Sequence, residues 1–176
     1  MLLLQVIVLS ANRLVSVTML APLPASTGAL NGSDTLTITA ASDVLNFAGF
    51  LSGGAVDRNG GVDPAIVAYT SASNGNANIA GKVALYSDAS FNGAETPALI
   101  ATLLGSNDVK VTTAGGKAIL ITGDASGAND VAQIWFINDA LDGTNGTISA
   151  SDIVLVGTTS AAFDLDTLTT ADFAFS

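Results

Sequence analysis

Apolar positions in this chain fall in short runs, separated by loops of Gly, Asn, Ser and Asp. Few runs have the three-and-four spacing of a helix, and many are β-branched, so the pattern predicts strands. Residues 35–39 (TLTIT) alternate cleanly, with Leu36 and Ile38 on one face and threonines on the other. Residues 66–70, 79–86, 109–112, 117–122 (KAILIT), 131–137 (VAQIWFI) and 152–156 (DIVLV) read as further strands, and residues 167–175 close the sequence. Period two across VAQIWFI puts Trp135 and Phe136 on opposite faces of a central strand.

Helical signals are local. Thr96 is placed as an N-cap, Pro97 as the first helical residue and Gly105 as a stop, which predicts a short helix between them. Residues 44–51 read two ways: a helix capped by Ser42 or Asp43, or a strand through Val44, Leu45, Asn46 and Phe47. Gly115-Gly116 reads as the tight connection of a hairpin joining residues 109–112 to 117–122, and Asn74-Gly75 favours left-handed turn geometry. The whole describes one mainly β domain over residues 1–176, an antiparallel sandwich or irregular β-roll with one to three short helices. No strand–helix alternation of the parallel α/β kind is visible. Isolated Gly pairs do not fall into the Gly-Gly-x-Gly-x-Asp frame of a calcium β-roll.

The first residues are the most apolar stretch. MLLLQVIVLS lacks the basic start of a secretory signal, and Gln5, Asn12 and Arg13 break it well short of a membrane helix. A second run, residues 14–23, follows Arg13 and ends near Ala25, faintly resembling a cleavable signal. The β-branched content of Gln5–Val8 and Leu14–Thr18 favours two strands instead. Leu2, Leu4, Val6, Ile7 and Val8 are then candidate assembly residues, since an uncovered apolar edge invites pairing; residues 1–30 form a candidate edge-strand segment. The competing reading folds this strand back into its own domain as core.

Composition narrows the functional classes. The 176 residues include 15 acidic and 5 basic ones, a net charge of −10, with no His and no Cys. Imidazole and thiolate metal sites, His-based triads and disulfides are excluded. The acidic excess disfavours nucleic acid and anionic membranes as partners. Only 11% of residues are charged, below half the usual share, so the polar surface consists largely of hydroxyls and amides. Such a surface is suited to packing against copies of itself. With no Ser-x-x-Lys pattern and few aromatics to line a glycosidase cleft, an enzyme is not expected.

Three acidic loops have the oxygen chemistry calcium prefers. The richest runs from Asn138 to Asp152, with Asp139, Asp142, Asn145 and Asp152 as candidate ligands. Its second half resembles part of an EF-hand, with Gly146 at the bend and Asp152 closing, but Leu141 and Gly143 stand where carboxylates belong. The alternative is an Asx-turn loop that satisfies only its own backbone. Asp57, Asn59 and Asp63 form a secondary candidate, and Asp124, Asn129 and Asp130 a third.

The stretch Ala132-Gln133-Ile134-Trp135-Phe136-Ile137-Asn138-Asp139, the following Ile153-Val154-Leu155-Val156-Gly157-Thr158 and the closing Leu168-Thr169-Thr170-Ala171-Asp172-Phe173 carry a resemblance. Together, over roughly residues 117–176, they resemble the C-terminal region of RTX-like and bluetail-type bacterial surface proteins exported by type I secretion. The resemblance implies an extracellular or cell-surface protein, with an uncleaved C-terminal signal read by the type I secretion apparatus. The glycine–aspartate array of that family is missing from this sequence, so the resemblance does not extend to its calcium roll. Two functional expectations follow. The first is an exported structural protein assembling with copies of itself into a surface layer or filament, stabilised by calcium. The second is a monomeric carbohydrate-binding or adhesive module, which needs Tyr69, Tyr86 or Trp135 exposed as a platform.

Overall fold

A computed structural model describes residues 5–7, 14–18, 34–36, 44–47, 65–70, 77–106, 109–111, 116–124, 131–139, 148–159 and 164–174. The strands are β1 (Gln5–Ile7), β2 (Leu14–Thr18), β3 (Asp34–Leu36), β4 (Val44–Asn46), β5 (Ile66–Thr70) and β6 (Ala77–Asn78). They continue with β7 (Val83–Ser87), β8 (Val109–Lys110), β9 (Lys117–Gly123), β10 (Gln133–Asn138), β11 (Ile153–Thr159) and β12 (Phe173–Ala174). One α-helix, α1 (Pro97–Ser106), and three single 3₁₀ turns, Ala150–Asp152, Leu165–Thr167 and Thr170–Asp172, complete the described elements. The fold is mainly β, as the pattern predicts.

The centre is a six-stranded sheet of order β3-β11-β10-β9-β7-β5. Its inner strands are apolar at almost every position because both faces are covered. On one face Val83, Leu85, Ile119, Ile121, Ile134, Phe136 and Val156 pack with Leu45 of β4, with Phe47 directly after it and with Phe173 of β12. On the other, Ala84, Tyr86, Leu120, Trp135 and Ile137 pack with Phe91 and with Ile100 and Leu104 of α1. Trp135 and Phe136 therefore lie on opposite faces of β10, each at most 4% exposed.

Helix α1 begins where its caps predict. The Leu99 N–H donates to Thr96 Oγ1 (3.3 Å), and Pro97 opens the first turn, where no N–H partner is needed. Ile100 and Leu104, four apart, turn inward, while Leu99 is 50% exposed. The helix runs one residue past Gly105.

The second sheet has order β1-β2-β4-β12 and covers one face of the first through β4 and β12. β1 is antiparallel to β2 (Val6 opposite Val17), while β2, β4 and β12 all run parallel. Residues 44–46 thus take the strand alternative rather than the helical one. Phe47 and Phe173 stack at 6.2 Å and 22°, and the Phe47 N–H donates to Ala174 O (2.8 Å).

Pairing direction differs from the antiparallel expectation over much of the molecule. β9–β10–β11 and β1–β2 are antiparallel, but β5–β7, β7–β9, β3–β11 and β6–β8 are parallel. The reason is the connections: β7 returns to β9 through α1, a crossover long enough for parallel neighbours. The expected hairpin across Gly115-Gly116 does not form, because β8 pairs with β6 and β9 pairs with β7 and β10. Residues 79–82 do not extend β7 either. Gly81 turns there with φ of 73°, and the Lys82 N–H donates to Ile79 O (3.0 Å).

Candidate functional site

The β10–β11 connection carries the leading calcium candidates. The register Ile137 to Ile153 brings Asp139 and Asp152 to the root of one loop, and both are fully buried. The Asp139 N–H donates to Gly116 O (3.0 Å), tying the loop to the start of β9. Asp152 Oδ2 accepts from the Ser149 N–H (2.9 Å) and from Ser149 Oγ (3.0 Å), closing the 3₁₀ turn that feeds β11. Coordination by Asp152 would therefore use its other oxygen or open this box. Asp142 and Asn145 lie outside the described residues, as do Asp57, Asn59, Asp63, Asn129 and Asp130. No group of three or more Asp or Glu residues arranged to hold a metal occurs among the described residues.

The same turn occurs a second time, which the sequence reading missed. Thr147-Ile148-Ser149-Ala150-Ser151-Asp152-Ile153 and Thr167-Leu168-Thr169-Thr170-Ala171-Asp172-Phe173 match in side-chain type at five of seven positions. Asp172 Oδ2 accepts from Thr169 N (2.8 Å) and Thr169 Oγ1 (2.8 Å), and Asp172 is 4% exposed. The signal was a hydroxyl residue three before an Asp and directly ahead of an apolar strand, a variant of the capping box. Here a buried carboxylate satisfies the N-terminal N–H of a 3₁₀ turn and launches a strand. Asp164 does a simpler version, its Oδ1 accepting from the Asp166 N–H (3.0 Å) at the start of the turn Leu165–Thr167.

The loop after β7 is also organised around a carboxylate. Glu95, 7% exposed, accepts from Asn92 N (2.7 Å) and Gly93 N (3.1 Å). Gly93 has φ of 77°, and a Cβ there would strike the Val131 side chain, so only glycine fits. Beneath the loop, Trp135 Nε1 donates to Thr122 Oγ1 (2.9 Å) and Gln133 Nε2 reaches Glu95 O (3.4 Å). Gln133 Oε1 meets no hydrogen-bond partner among the described residues. Burial, reinforced by the negative charge of Asp88, pushes the Tyr86 phenol above its ordinary range.

The aromatic platform required of a carbohydrate module loses two of its three members. Tyr86 and Trp135 are both fully buried, and the side chain of Tyr69 lies outside the described ones. Of the assembly candidates, Val6 and Ile7 lie in β1, which pairs with β2 of its own sheet; Leu2, Leu4 and Val8 fall outside the described residues. Among the described residues no helix is long and apolar enough to cross a membrane. Compared with family models, curated proteins and solved structures, the chain matches none of them.

Proposed function

We propose that this protein is an exported structural protein whose copies assemble into a surface layer or filament. The observation that carries the reading is β1, a strand from the most apolar stretch of the sequence, at the outermost position of the four-stranded sheet. Its inner side is hydrogen-bonded to β2, and its outer side has no strand beside it among the described residues. Such an edge is a template for another strand. The low charge density supports the reading further, because a surface of hydroxyls and amides loses less hydration free energy in a subunit contact than one of Lys and Glu. Export through a type I secretion apparatus follows from the resemblance of residues 117–176. Calcium at the loop of Asp139, Asp142, Asn145 and Asp152 adds stability by binding only the folded form, about 2.7 kcal/mol at a hundredfold excess over Kd.

Light scattering on the intact chain, and on one lacking residues 1–12, tests the assembly. Large species from the intact chain that vanish on truncation, with the domain still folded, are expected. An intact protein that stays monomeric with and without calcium overturns the reading. Thermal melts in millimolar calcium and in chelator test the ion. A higher Tm with calcium is expected, and superimposed melts remove calcium from the account.

A further inference from the structure

The loop after β7 requires a glycine directly after Asn92. Gly93 has φ of 77°, and a Cβ there would strike the Val131 side chain. Asn92 makes the turn itself, its Oδ1 accepting from the Ala94 N–H (3.0 Å). The packing thus imposes Asn-Gly, the pair most prone to lose its side-chain amide, because glycine leaves the following nitrogen unshielded. Asn92 is exposed, so water and base reach it.

Deamidation makes two demands. The Gly93 nitrogen must give up its proton, and the carboxamide carbon of Asn92 must come onto that nitrogen. A bond then forms between them, the carboxamide C–N bond breaks, and ammonia leaves with the proton that Gly93 lost. Water opens the resulting succinimide to aspartate or isoaspartate. Glu95 opposes both demands. Its carboxylate, in a residue only 7% exposed, accepts from the Asn92 N–H through Oε1 (2.7 Å) and from the Gly93 N–H through Oε2 (3.1 Å). A carboxylate is too weak a base to take an amide proton, and its negative charge disfavours a nitrogen anion beside it. Loss of the Gly93 proton also forfeits the bond to Oε2 outright, while the Ala94 N–H holds the carboxamide oxygen. Glu95 is seated in turn by β10, where Gln133 Nε2 donates to its carbonyl oxygen (3.4 Å).

We infer that Asn92 is a deamidation site held shut by Glu95. The loop keeps an Asn-Gly pair that its packing demands and blocks the reaction which that pair invites. The protection acts within one chain, whatever its state of assembly.

The sequence supplies its own clocks in four other Asn-Gly pairs, at residues 31–32, 59–60, 74–75 and 145–146. Full-length protein is held in mildly alkaline buffer, native and in urea, and then cut with trypsin, which acts after Lys82 and Lys110 and releases Asn92 between them. Mass spectrometry follows amide loss. In urea, Asn92 should react at the pace of the other four pairs. In the native chain it should be slower by about tenfold or more, the effect of shifting the ionisation of the Gly93 nitrogen by about one unit. Glu95→Gln keeps the shape but loses the charge and leaves one acceptor oxygen for two N–H groups. With far-ultraviolet circular dichroism and Trp135 fluorescence matching the parent, it should deamidate about tenfold faster than the native parent. Should it unfold, Glu95→Asp, too short to span both N–H groups, is read in the same way. Equal rates at Asn92 in native and urea-treated parent would overturn the inference, as would a folded variant no faster than the parent. A folded variant slower than the parent would show Glu95 acting as a base and overturn it as well.

Discussion

Strand β10 of the six-stranded sheet has a hydrogen-bonded neighbour on each side and an apolar layer on each face. β1 and β12 of the four-stranded sheet each have one neighbour among the described residues. The first is fixed by its surroundings from every direction. Among the described residues each of the second pair has a single ladder, and β12 is held in addition by Phe173, which stacks on Phe47 and packs in the core below the six-stranded sheet. A region enclosed in this way contributes stability, whereas a region with free edges is where new pairing can begin. Under the assembly proposal, the central strands of the six-stranded sheet are the body and β1 of the four-stranded sheet is the surface offered to another copy.

The largest effect that could break this contrast is expected at Trp135. Trp135→Ala leaves a cavity between β10 and the loop after β7 and should cost about 4 kcal/mol in urea unfolding followed by circular dichroism. Phe47→Ala removes the ring that anchors β4 to β12 and should cost about 3 kcal/mol. The sharper comparison is a double-mutant cycle between Phe47 and Phe173, which should give a coupling of about 1 kcal/mol from their stacking. A Phe47→Ala loss equal to or above that of Trp135→Ala would mean the smaller sheet is as much a part of the body as the larger one.

The paired turns permit a more local comparison. Asp152→Ala and Asp172→Ala each strand the backbone N–H of the cap residue and should each cost about 2 kcal/mol. Hydrogen exchange should then quicken at Ser149 in the first variant and at Thr169 in the second, with little exchange of effect between them. Equal quickening at both sites in both variants would show that the two sheets unfold as one.

The smallest effect at neutral pH is expected at Tyr86. Its phenol is raised above the ordinary value of 10.0, so the folded state holds the proton more tightly than the unfolded chain. The associated stability is complete below pH 10 and is lost as pH rises through the folded-state value. Alkaline unfolding should therefore steepen above pH 10, and Tyr86→Phe should flatten that loss. An unchanged alkaline profile in the variant would place the titrating group elsewhere.

How much could be read from the residues differs between the same two regions. β9 and β10 are legible because strands covered on both faces must be apolar throughout, and KAILIT and VAQIWFI are. Helix α1 is legible because Thr96 and Pro97 satisfy local geometry that needs no distant partner. Strand direction is not legible, since parallel partners such as β5 and β7 or β4 and β12 are chosen by crossovers and by contacts far apart in sequence. The pairing of Gly115-Gly116 with a hairpin failed for that reason: β9 finds larger apolar partners in β7 and β10 than in the two residues of β8. At the candidate ion loop, the sequence offered Asp139, Asp142, Asn145 and Asp152 as ligands, and the β10–β11 register sets Asp139 and Asp152 at the root of that loop. It did not reveal that Asp152 is bound to Ser149, because a capping carboxylate and a metal ligand are the same residue type in the same kind of loop.

The central claim is that the outer edge of the smaller sheet joins copies of the protein. Sedimentation velocity of the intact chain across a wide concentration range, with and without calcium, tests it most directly. The account predicts species well above the 17.5 kDa of one chain, growing in size as concentration rises. A single 17.5 kDa species at every concentration under both conditions would contradict it.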